Sequence, residues 1–205
     1  MASNKSDLLI EWFETASLIT AGVVGVILTT IKLVPKRKND EDKKYIEVHG
    51  EIHETLTELR VKTDAARSQI IQFHNGEYFM DGVSMRKFTL THESLSRGMS
   101  ADAGRIKGLL CSMFVPLLNS VVEDEPKIIS MHDLQHSFFK QFFEDNNVEG
   151  FCVLPIRIRN QITGFLLNQW CNSTKFDMVD TSVVKESMLY ARNAIEVQLA
   201  SQRKG

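Results

Sequence analysis

The sequence lacks an excess of either charge. Its 24 Lys and Arg stand against 26 Asp and Glu, a formal net charge of −2 over 205 residues. Chains that coat nucleic acid are usually strongly basic, and no basic and aromatic stripe upsets the balance locally, so no nucleic-acid partner is expected. Paired cysteines are missing as well. Cys111, Cys152 and Cys171 are odd in number and form no CxxC. That argues against a disulfide framework or a Cys-rich zinc site and for unpaired, buried thiols in a reducing compartment. No GxSxG, P-loop or GxGxxG occurs. Ser94, Ser96 and Ser100 lie near His92 in the sequence, but nothing orders them into a triad,. The chain therefore reads as a non-enzyme. His132 and His136 have the spacing of a zinc-binding HExxH helix, with Asp133 in place of the Glu, but they fall at a strand-to-helix change,. His49 and His53 share the spacing, and neither pair is read as a metal site.

Charge is also absent from one long stretch. Residues 15–31 (TASLITAGVVGVILTTI) carry none, between Glu14 and Lys32. Leu33 and Val34 extend the apolar end, so residues 15–34 read as a transmembrane helix of adequate length,. The region before it holds Lys5, Asp7, Glu11 and Glu14, which is not the basic head of a cleaved signal peptide,. A helix lying in the interface would need a charged face, which is missing here. Lys32, Lys36, Arg37, Lys38, Lys43 and Lys44 follow the span, while only Lys5 precedes it. The positive-inside rule then puts residues 1–14 outside and the rest of the chain in the cytoplasm,. Ser17, Ala21 and Gly25, four apart, form a small-residue stripe on which another span can pack,. The mean hydropathy of −0.14, ordinary for a soluble protein, averages over this segment and a more polar remainder.

Residues 35–66 read as a charged junction (PKRKNDEDKK) and a connector helix. Ile52, Leu56, Leu59, Thr63, Ala66 and Ile70 recur at spacings of four and three, a coiled-coil-like seam that predicts a homo-oligomer,. The alternative is an amphipathic helix packed on its own domain. From residue 67 onward short apolar runs alternate with helical faces. SQIIQF (residues 68–73) is a strand that stops at His74-Asn75-Gly76, where Asn75-Gly76 signals a turn, and MRKFTLTHESL is a second strand,. Residues 105–122 predict a buried helix interrupted near Pro116, residues 127–131 a strand, and residues 133–146 a Phe-rich helix,. GFCVLPIRIR and ITGFLLNQWC make a hairpin about an Asn160-Gln161 turn, with Ile156 and Ile158 on one face and Arg157 and Arg159 on the other,. A last helix begins near Asp180 as its N-cap,. The fold class is α+β: a transmembrane helix, a helical connector, then an antiparallel sheet flanked by helices over residues 67–205,.

This order, with Pro155, Ile156, Ile158, Ile162, Gly164 and Leu166 in the run VLPIRIRNQITGFLLNQW, resembles the GAF family, whose last hairpin has a similar pattern. RSQIIQFHNG resembles its first strand. The FHNG and THE runs also resemble anchored domains of tailed phages. The GAF resemblance implies a sensory or regulatory module that holds a small ligand between sheet and helices, or serves only to dimerise. Family ligands include cyclic nucleotides, haem and bilins. The sequence has no NKFDE-like set and no cysteine in a bilin context, so the cofactor stays open.

The candidate ligand-binding residues are His74, Asn75, Glu77, Thr91, His92 and Glu93, polar groups on two strands expected to be neighbours,. The reading is a membrane-anchored, self-associating sensory module in contact with the lipid bilayer and a small-molecule ligand or partner. The alternatives are a structural membrane protein on an emptied scaffold, possible in a virus, and a small membrane-lesion or pore-forming protein.

Overall fold

A computed structural model describes residues 40–202, apart from 79, 81 and 83. The chain divides into two compact units, residues 1–47 and Val48–Gly205. Of the first unit, residues 40–47 are described and are helical. The expected span at 15–34, its Ser17, Ala21 and Gly25 stripe, and residues 1–14 lie outside the described residues. Among the described residues no helix is long and apolar enough to cross a membrane.

The second unit opens with α1, residues 48–62, which ends where Asp64 turns into the left-handed region at φ 47°,. Then come β1 (Arg67–Tyr78), β2 (Ser84–Leu95), β3 (Leu109–Leu110), α2 (Val115–Val122), β4 (Lys127–Ser130), α3 (Phe138–Glu144), β5 (Gly150–Ile158), β6 (Gln161–Trp170), α4 (Ser173–Asp177) and α5 (Thr181–Gln202). The strands form one antiparallel sheet in the order β3-β2-β1-β6-β5-β4.

The sheet has a core on each face, because its strands alternate apolar side chains to both sides. On one face Ile70, Leu154, Ile156, Leu166 and Trp170 pack with α1 and α5, through Val48, Ile52, Leu56, Leu59, Val184, Met188, Ala191 and Ile195. On the other, Ile71, Phe88, Phe151, Val153, Phe165 and Leu167 pack with Phe114, Leu117 and Val121 of the α2 region and Phe139 and Phe143 of α3. Phe114 meets the rings of Phe88, Phe138, Phe139 and Phe142 edge-on at 5.1–6.3 Å,.

Four sequence expectations change, and one element is new. The seam residues Ile52, Leu56, Leu59 and Thr63 are buried in their own domain, at 0%, 0%, 3% and 7% exposure. Ala66 and Ile70 lie beyond the helix, so this seam is intramolecular rather than a coiled coil between chains. Asn75-Gly76 is not a turn. β1 runs on to Tyr78, and Gly76 is needed because a Cβ there would meet the Met85 carbonyl oxygen at 2.6 Å. Pro116 lies in the first turn of α2, where its missing N–H costs no helical bond, and so begins a helix instead of interrupting one,. The β5–β6 turn uses Arg159 and Asn160, at φ 52° and 66°, one residue earlier than expected,. The short α4 was not foreseen; Asn172 caps it by accepting from the Lys175 N–H at 2.9 Å,.

Candidate functional site

A cavity of about 690 Å³ opens on the phenylalanine-rich face, between the β1–β2 end of the sheet, α2 and the β5–β6 turn. Its buried or half-buried floor is Phe73, Cys111, Leu118, Val121 and Ile162. Its more exposed rim carries His74, Asn75, Arg86, Arg157, Asn160 and Gln161. Strand alternation explains the set: Phe73 follows Ile71 on the face that β1 turns to the cavity, and Arg157 follows Val153 in the same way on β5,. The His74 ring nitrogen Nε2 lies 2.9 Å from Thr89 Oγ1, which also accepts the Gly108 N–H at 2.9 Å. Burial pushes the Cys111 thiol above its ordinary pKa, against the pull of Arg86,. The arrangement can hold an apolar body on its floor and offers a guanidinium group at each of two places on its rim, Arg86 and Arg157, to an anionic substituent,.

Of the six residues expected from the sequence, His74 and Asn75 line this cavity. The side chain of Glu77 lies outside the described residues. Thr91, His92 and Glu93 sit further along β2, and a bulge separates them: Ile70 pairs with His92 but Ile71 with Leu90, leaving Thr91 as the extra residue,. Thr91 Oγ1 donates to the Ile70 carbonyl at 3.3 Å. His92 faces α1, its Nε2 2.6 Å from His49 Nδ1 and its ring stacked at 4.8 Å on that of His49. The His53 ring meets it edge-on at 5.9 Å. Burial, then His49 and His53, push the His92 pKa down to about 4,. Among the described residues no group of three potential ligands has a metal-holding geometry.

Glu93 belongs to a buried polar network on the opposite face from His92. It accepts from Gln69 Nε2 at 2.7 Å and from the Asp102 N–H at 3.1 Å. Asp102 pairs with Arg67 Nε at 3.5 Å, both side chains under 5% exposed. Gln169 Nε2 donates to Gln69 Oε1 at 3.0 Å. Burial raises the Glu93 pKa, and these donors oppose the rise,. Every polar atom named here has a partner, so the network ties the loop before β3 to the sheet and leaves nothing aimed at a ligand.

Arg86 and Arg157 are cavity residues outside the six expected from the sequence. The signal for Arg157 was its alternation with Ile156 and Ile158, an Arg at a strand position whose neighbours are core. Arg86 carried no comparable signal.

No family model matches the sequence, and no curated protein sequence matches it. The described residues form an antiparallel sheet with two helices on one face and a cavity on the other, an α+β architecture. Solved structures that it resembles include GAF domains. One is the phycocyanobilin-bound GAF domain of a cyanobacterial phytochrome, with 15% identity and a TM-score of 0.57 over 82% of this chain and 93% of that one. A phycoerythrobilin-bound GAF domain gives 14%, 0.57, 82% and 94%. A red/green cyanobacteriochrome in its red-light-absorbing state gives 15%, 0.56, 77% and 97%. The chain has the GAF fold. These cyanobacterial structures lend no support to the tailed-phage resemblance.

Proposed function

We propose that the protein is a membrane-anchored, non-enzymatic sensory module that binds a small amphipathic anion. The observation that carries this reading is the 690 Å³ cavity with an apolar floor and Arg86 and Arg157 at its rim. Residues 15–34 supply the anchor, and residues 1–14 and the GAF-fold domain lie on opposite sides of the bilayer, the domain in the cytoplasm. Self-association runs through Ser17, Ala21 and Gly25. The bilin ligands of the structural neighbours support ligand binding in general, without specifying a bilin here.

Native mass spectrometry of the detergent-extracted full chain tests the reading. The expected result is a co-purified mass of a few hundred daltons that leaves on denaturation and is absent from Val121→Trp, which fills the floor. A wild-type chain free of any adduct, with Val121→Trp equally folded, overturns it. That result favours the second reading, a structural scaffold, which the packing of Phe114 against four other phenylalanine rings supports.

A further inference from the structure

Arg157 is a rim residue through which the cavity meets elements at the outer edge of the sheet. β4 pairs with β5 only from Gly150 to Val153, so the outer edge of β5 beyond Val153 has no strand beside it among the described residues. Two elements fill that gap. Glu196 of α5 accepts the Arg157 backbone N–H at 2.7 Å. Asp124, in the α2–β4 connection, crosses the edge and uses a single oxygen, Oδ1, to meet Arg157 Nε at 3.3 Å and Arg192 Nη1 of α5 at 3.0 Å. Arg192 Nε stands 4.0 Å from Glu196 and, though buried, has no hydrogen-bond partner. Two guanidinium groups thus share one carboxylate oxygen, one of them at the cavity and the other on the long α5 helix.

We propose that this four-residue cluster is a ligand-to-helix relay. An anionic group in the cavity (carboxylate, phosphate or sulfonate on an apolar body) takes Arg157 from Asp124, which then serves Arg192 alone. The inference rests on the ligand reading above and adds a direction to it. Because coupling is reciprocal, changes on α5 must alter anion affinity at the cavity, with a sign set by the competition. Removing the Asp124 charge frees Arg157 for the ligand and tightens binding. Removing Arg192 leaves Asp124 to Arg157 alone and weakens it.

The test is calorimetric titration of the full chain in nanodiscs, with empty-nanodisc heats subtracted. Naphthalene sulfonate is the anionic probe and naphthamide the neutral one. Arg157→Gln is expected to weaken the sulfonate about tenfold. Asp124→Asn should tighten it, and Arg192→Gln weaken it, each about fivefold. Naphthamide affinity should be unchanged in all three, which also reports an intact cavity; should Arg192→Gln fail that control, the sign of Asp124→Asn decides. Sulfonate binding that Arg157→Gln weakens while Asp124→Asn leaves it unchanged or weakens it overturns the relay alone. A wild-type chain that binds neither probe overturns the ligand reading and the relay together.

Discussion

His92 joins two elements through its ring, and its chemistry makes the junction pH-sensitive. Its folded-state pKa is about 4, against 6.5 for an ordinary histidine. The neutral ring is favoured by the fold, so its contribution is complete above pH 6.5 and is lost as pH falls toward 4, where the folded ring itself takes the proton. The loss amounts to about 3 kcal/mol. Urea unfolding of the wild type should show this fall between pH 6.5 and 4, and His92→Gln should flatten that part of the profile. Gly164 supplies a second test at this scale. A Cβ there would meet the Ile71 carbonyl oxygen at 2.2 Å, and backbone cannot step aside as a flexible side chain would. Gly164→Ala should destabilise by about 1–3 kcal/mol, read as a lowered midpoint. The sequence pattern brought out Gly164 and the polarity of His74 and His92. It could not tell which face His92 took, because the bulge at Thr91 shifts the alternation on which such a reading depends,.

Among the elements, α1 separates what periodicity can and cannot say. The spacing of Ile52, Leu56 and Leu59 correctly marks an apolar helix face. A face of that width fits a partner helix or a sheet equally well, and here the sheet and α5 occupy it,. Leu56→Ala should therefore cost about 2–5 kcal/mol of domain stability, as expected for a fully buried leucine. Thermal unfolding at several protein concentrations distinguishes the two uses: a Leu56→Ala loss independent of concentration belongs to the domain core. The β5–β6 hairpin was legible because two strongly alternating runs flank a short polar break. The stretch from 105 to 122 was not, since a two-residue strand and a short helix leave too few residues to show a period,. The cavity escaped the sequence for a related reason. Its lining comes from β1, β2, the turn after β3, α2, and the β5–β6 hairpin, and only folding brings these together.

At the scale of the whole molecule, the charge asymmetry about residues 15–34 gives the proposed topology a sharp test. A cysteine placed at position 3 should react with a membrane-impermeant reagent on intact cells, whereas one placed near Gly205 should react only after lysis. The reverse pattern would turn the chain over. Removing residues 1–34 should release the protein from the membrane fraction, and continued sedimentation with membranes would show that the anchor lies elsewhere.

The position of β1 also has a consequence for how the chain is made. This strand is the first of the sheet to leave the ribosome, yet one of its two neighbours is β6, with Arg67 opposite Gln169 across 102 residues. Contacts of such long sequence separation form slowly. Until β6 is synthesised, the β1–β2 pair presents an unpaired edge bearing Ile70 and Ile71, the kind of edge on which nascent chains aggregate. If the segment ahead of it is already inserted in a bilayer, tethering keeps neighbouring nascent edges apart in the plane during that wait.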